Sequence, residues 1–120
     1  TGTVYVAAFG SAKIGVFSRT AIEDATFETN FDPTVASANY IATGGGPSGI
    51  VLDETNNRLY VLTRFDNSVR VINPATKANL ATLALSNPEP SAVVTGRPFL
   101  YDATVSSRNG EAACASCHTF

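Results

Sequence analysis

Leu59-Tyr60-Val61-Leu62-Thr63-Arg64-Phe65-Asp66-Asn67-Ser68-Val69-Arg70-Val71-Ile72-Asn73-Pro74-Ala75-Thr76 is the stretch whose reading decides the fold. Arg58 to Arg64 is β-branched and aromatic in character, a composition that suits a pleated, half-buried surface. Asp66-Asn67 then makes a turn, because Asn tolerates the positive φ that tight hairpins demand. Val69 and Val71 alternate with Arg70, the period of two that marks a strand with one wet face. Asn73-Pro74 ends that strand, since proline cannot donate to a ladder. Upstream, Ser48 to Asp53 is an apolar run fit for a strand buried on both faces, joined to the next by Asn56-Asn57. Downstream, Ala78 to Leu85 supplies a fourth, polar-edged strand, and Asn87-Pro88-Glu89-Pro90 closes the unit. The pattern predicts an antiparallel meander of four short strands.

The unit recurs. Val4-Tyr5-Val6-Ala7-Ala8 leads through Ser11-Ala12-Lys13 into Ile14-Gly15-Val16-Phe17, and this segment aligns without a gap on Leu59 to Ile72 at an offset of 55 residues. Pro47-Ser48-Gly49-Ile50-Val51 is echoed by Pro90-Ser91-Ala92-Val93-Val94 at an offset of 43. An insertion between Arg19 and Asn39 accounts for the unequal spacings. Four-stranded units repeating at about 40 to 50 residues are the sequence signature of propeller blades. A β-sandwich also uses short strands with turn signals, and stays open as the alternative. A WD40-type propeller is disfavoured, because the chain has no Trp.

The stretch from Leu59 to Thr76 resembles the YVTN family of β-propeller repeats. Tyr60 and Val61 keep the first half of the tetrad that names the family, while Leu62 and Thr63 replace the second half. Asn73 stands where the family usually has Asp. The resemblance covers residues 44 to 87 well and 3 to 17 more weakly. It implies an all-β fold of antiparallel four-stranded blades in a seven- or eight-bladed parent. On that reading residues 1–105 are a partial propeller, with one full blade at about 44–87 and parts of two neighbours. The chain opens directly on a strand-like run without Met, which predicts a piece of a longer protein.

The second informative motif is Cys114-Ala115-Ser116-Cys117-His118. Cys-X-X-Cys-His is the pattern of c-type haem attachment. The two thiols add to the two vinyl groups of the porphyrin, so their spacing must match its edge, and the adjoining imidazole then falls beneath the iron. Cys114 and Cys117 are the candidate haem thioethers, and His118, the one histidine of the chain, is the candidate axial iron ligand. Structural zinc is a competing reading, but it needs four ligands and this chain offers three. A thioredoxin-like redox pair would need a βαβ context that is absent from the pattern. Chance occurrence of two cysteines and a histidine is the remaining alternative.

The residues before the motif argue against chance. Gly96-Arg97-Pro98-Phe99-Leu100-Tyr101-Asp102, then Ser106-Ser107-Arg108-Asn109-Gly110, then the cysteine motif, is similar to the opening of the first haem module of the bacterial dihaem cytochrome c peroxidase family. The resemblance implies that residues 106–120 begin a cytochrome c-type segment carrying covalent haem c, with His118 below the iron. It does not carry over peroxidase activity, which needs a second haem. With no Met and no second His in the chain, a distal ligand is missing, and this stretch alone is predicted to hold haem poorly.

Composition narrows the remaining classes. Eight basic residues against ten acidic ones are scattered singly, so nucleic acid is not an expected partner. No apolar run approaches the roughly 20 residues of a membrane span. Gly44, Gly46 and Gly49 match the dinucleotide fingerprint, yet Ile50-Val51-Leu52 continues as a strand where that motif opens a helix. Asp53-Glu54 and Asp66 read as turn residues. The leading expectation is an extracytoplasmic, periplasmic or extracellular c-type cytochrome with a propeller platform, serving electron transfer to a redox partner protein. The alternatives are a propeller binding module for a protein or wall polymer, and part of a dihaem peroxidase-like oxidoreductase. Open strand edges predict an oligomer, or pairing with the rest of the parent propeller and haem domain.

Overall fold

The computed structural model describes residues 2–27 and 31–118. Two antiparallel sheets carry the molecule. The first has the order β1-β2-β3, with β1 Thr3–Ala8, β2 Lys13–Ser18 and β3 Ile41–Ala42. The second is a four-stranded meander in the order β4-β5-β6-β7, with β4 Pro47–Asp53, β5 Arg58–Thr63, β6 Ser68–Ile72 and β7 Asn79–Ala84. Between β2 and β3 lie α1 Arg19–Ile22 and α2 Pro33–Ala36, inside the stretch that the repeat marked as an insertion. After β7 the chain turns helical, with α3 Ser91–Tyr101 and α4 Ala103–Ser106. The fold is mostly β, and among the described residues the sheets close into neither a barrel nor a ring.

The hairpins follow from their turn residues. Asn57 and Asn67 take positive φ, 53° and 46°, immediately before β5 and β6. Asp53 braces the first turn by accepting from the Asn56 backbone N–H at 3.0 Å and from its side-chain amide at 2.7 Å. Those donors hold the Asp53 carboxyl below its ordinary pKa range, and the Asn56 side chain contributes most. In the second turn the Thr63 hydroxyl donates to Asp66 at 2.6 Å. Ala12 takes the matching left-handed place before β2, at φ 52°.

Gly44-Gly45-Gly46 links the sheets with three successive residues at positive φ of 61–64°. Two of these positions have no room for a side chain: a Cβ on Gly45 would lie 2.8 Å from Thr63 Cβ, and one on Gly46 would lie 2.6 Å from the Phe65 ring. Their carbonyls accept from Phe65 and Arg64 at 2.7 and 2.9 Å, so the loop is stitched to the β5–β6 hairpin. A strand follows this loop, as expected.

The core lies between the stacked sheets, with β1 over β4. Ile14 and Ile41 of the first sheet meet Leu59, Val61 and Ile72 of the second, with Tyr5, Ala7, Val16, Ile50 and Leu52 packed around them. Each such aliphatic side chain, fully buried, contributes roughly 1.5–3 kcal/mol. The run Ser48 to Asp53 does not have two buried faces. It forms an edge strand with Ile50 and Leu52 turned to the core and Val51 66% exposed.

The sheets stack head to tail. At the 55-residue offset, Tyr5, Ala7, Ile14 and Val16 correspond to Tyr60, Leu62, Val69 and Val71. The first set faces the core. The second set shares the opposite face of its sheet, because Leu59 and Val61 alternate with Tyr60 and Leu62, and the register pairs Val69 with Leu62 and Val71 with Tyr60. The third members of the two faces show the contrast most clearly. Ile41, opposite Ile14, is 1% exposed, whereas Leu83, opposite Val69, is 55% exposed.

Pro90-Ser91-Ala92-Val93-Val94, which echoes Pro47–Val51 in sequence, forms no strand and leads into α3. Val93 and Val94 alone would suit a strand, but strand preference needs a neighbour to pair with. Helical spacing puts Arg97 and Tyr101 on one face, where both find tertiary partners. Arg97 donates to the Arg64 carbonyl at 3.3 Å and pairs with Glu89. Tyr101 packs on Phe9 and Phe65. Those anchors decide the conformation.

Candidate functional site

The cysteine motif is positioned by a chain of local turns that starts at Asp102. This buried carboxylate caps α4 by accepting from the Thr104 N–H at 2.9 Å and the Thr104 hydroxyl at 2.6 Å. Ser107 then accepts the Gly110 N–H through its carbonyl at 3.3 Å, with Gly110 in the left-handed region. The Ser106 hydroxyl lies within 3.4 Å of the Ala112 carbonyl. Together these bonds return the chain to the end of α3.

Cys114–Ser116 forms a single 3-10 turn. Ala113 and Ser116 bond twice: Ser116 N–H to the Ala113 carbonyl at 2.9 Å, and Ala113 N–H to Ser116 Oγ at 3.1 Å. The Cys114 carbonyl accepts from both Cys117 and His118 N–H, at 3.2 and 2.9 Å. The motif is therefore wound into one closed turn. Both cysteines are free thiols and exposed, and His118 is exposed beside them.

The turn sits against the hairpin end of the sheets. A hollow of about 270 Å³ lies between the β1–β2 hairpin and the motif, bordered by Phe9, Tyr101, Ala103, Ala113 and Ala115. Behind it, three rings from three segments make a cluster. Phe9 stands edge-on to Phe65 at 5.0 Å and to Tyr101 at 5.6 Å, while Phe65 and Tyr101 stack at 6.4 Å. Phe9 comes from the β1–β2 hairpin, Phe65 from the β5–β6 hairpin and Tyr101 from the last turn of α3. The motif thus rests on a part of the molecule braced by both sheets.

The donor set on the turn is two free thiols and one imidazole. Among the described residues, no three His, Cys, Asp or Glu side chains gather so as to hold a metal ion. Tetrahedral zinc requires such convergence. A c-type haem would need two thiols for its vinyl carbons and an imidazole for its iron, and Cys114, Cys117 and His118 are the residues of the turn that would supply them. Cys114, Cys117 and His118 are carried on one closed turn of backbone. The turn is braced by Phe9, Phe65 and Tyr101, three rings from segments far apart in the sequence. Their pairing depends on contacts across dozens of residues and left no local signal.

No protein-family model, no curated protein and no solved structure matches this chain.

Proposed function

We propose that this chain belongs to an extracytoplasmic c-type cytochrome, in which a pair of propeller-type blades carries a haem c on Cys114 and Cys117 and serves electron transfer. The observation that carries the reading is the preformed turn at Cys114–His118, with two free, exposed thiols followed directly by the histidine. The bound haem would supply a one-electron iron couple. The chain's own residues do the positioning. Cys114 and Cys117 would fix the porphyrin edge by thioether bonds, and His118 would ligate the iron. The fused turns from Asp102 to Ala113 hold that triplet on the aromatic cluster.

The blade reading is supported by the head-to-tail stacking of two repeat-related sheets. A sandwich built from two like sheets by a two-fold axis would bring equivalent faces together, whereas here opposite faces meet. Propeller blades stack in this manner.

The test is to mature the protein in a bacterial periplasm equipped for cytochrome c assembly. The expected product is coloured, keeps its pigment through acid denaturation and shifts its absorption on reduction with dithionite. The double variant Cys114→Ser, Cys117→Ser is expected to lose the pigment while the strand signal in circular dichroism is retained. A colourless product, from cells that mature a control cytochrome, with both thiols still open to iodoacetamide, would refute the assignment.

A further inference from the structure

We infer that the outer face of the four-stranded sheet is a docking surface for a second copy of this chain, which binds through the free face of its three-stranded sheet. The inference does not depend on haem. The outer face gathers Val51, Tyr60, Leu62 and Leu83, all exposed, with the half-buried Val69 and Val71 between them. Four strands thus present one contiguous apolar surface to water, which marks an interaction site.

What this surface fits is given by the repeat. Tyr60, Leu62, Val69 and Val71 are the counterparts of Tyr5, Ala7, Ile14 and Val16, and Leu83 stands beside Val69 as Ile41 stands beside Ile14; that first-sheet set is already seated on a sheet within the chain. The seat consists of Leu59, Val61 and Ile72. At the same offset those residues correspond to Val4, Val6 and Phe17 on the free face of the first sheet. A second copy therefore offers the matching seat. Val6 is 46% exposed on it. A hollow of about 320 Å³ lies there, bordered by Val6, Ala8, Lys13, Gly15, Phe17 and Tyr40. Phe31 and Tyr40 cover the Phe17 end, at 6.0 and 5.7 Å between rings, and leave the Val6 end open.

Repeating the relation that joins the two sheets inside one chain would join one copy to the next. Such an interface is heterologous: each copy uses two different surfaces, so assembly continues into a ring or a filament. Pairing through strand edges would leave these faces uninvolved.

Sedimentation velocity on the chain, and on Leu62→Glu and Val6→Glu, tests this. The unaltered chain is expected to assemble beyond dimers as concentration rises into the hundreds of micromolar, and each variant alone is expected to stay monomeric. Mixing the two variants is expected to give heterodimers and nothing larger, because each keeps the one face the other lacks. Circular dichroism checks that both variants keep their strands, and Tyr60→Lys on the outer face and Ala8→Glu on the free face serve as a second pair. A monomeric unaltered chain would overturn the inference, as would assembly that survives Leu62→Glu and Tyr60→Lys, or mixed variants that fail to associate.

Discussion

The ring of Phe65 stacks on that of Tyr101, with centroids 6.4 Å apart and planes 20° from parallel. This contact ties the hairpin of the four-stranded sheet to the helix that leads into the cysteine turn. Tyr101→Ala is expected to destabilise the docked segment by about 1–2 kcal/mol, the range for a partly buried aromatic with ring partners. Hydrogen exchange should speed up over residues 91–113 and stay unchanged in β5 and β6. Equal acceleration in both would show that the segment is not a separate docking unit.

The loop before β4 should be the least tolerant of side chains. Gly46→Ala would place a methyl 2.6 Å from the Phe65 ring on backbone at φ 63°. Strain and displacement together are expected to cost about 2–4 kcal/mol. Because Phe65 also supports Tyr101, the loss of near-ultraviolet dichroism from Tyr101 should accompany the drop in urea midpoint.

Ala12 offers the opposite case. It occupies the left-handed place that Asn67 fills in the repeat, at φ 52° and 46° respectively. Left-handed backbone costs an ordinary L-residue about 1–2 kcal/mol, and Asn or Gly less. Ala12→Asn is expected to raise stability by about 0.5–1 kcal/mol in urea unfolding. Asn67→Ala should lower it by a comparable amount.

Acid should loosen the α3 segment. The Arg97 side chain donates to Glu89 and holds its carboxyl below the ordinary value of 4.5, while burial opposes the shift. A depressed folded-state value means the contact stabilises at pH above 4.5 and loses that contribution as pH falls below it. Protection of residues 91–101 from exchange should therefore weaken below that pH. In Glu89→Gln this pH dependence should largely disappear, which a titration followed by exchange or tyrosine dichroism can check.

Reading the sequence located the strands because their signals are local. Alternation in Val69-Arg70-Val71, asparagines at the turns and the proline after Asn73 act within a few residues, so the strands from Pro47 to Ala84 fall close to where they were expected. The cysteine motif stands out for the same reason, its residues being adjacent, and the structure winds it into one turn. The echo of Pro47–Val51 in Pro90–Val94 is local too, but no strand forms there, because the helix that follows is set by distant partners of Arg97 and Tyr101.

By itself, then, the sequence determined the meander, its repeat and the triplet Cys114, Cys117 and His118, all of which depend on neighbours along the chain. The tertiary structure alone decided which face of each sheet meets the core, leaving Leu83 in water while Ile41 is buried. It also decided where the cysteine turn rests. Both depend on side chains from Phe9 to Tyr101 meeting in space, and burial of apolar surface between distant segments, unlike a turn or an alternation, has no fixed spacing along the chain.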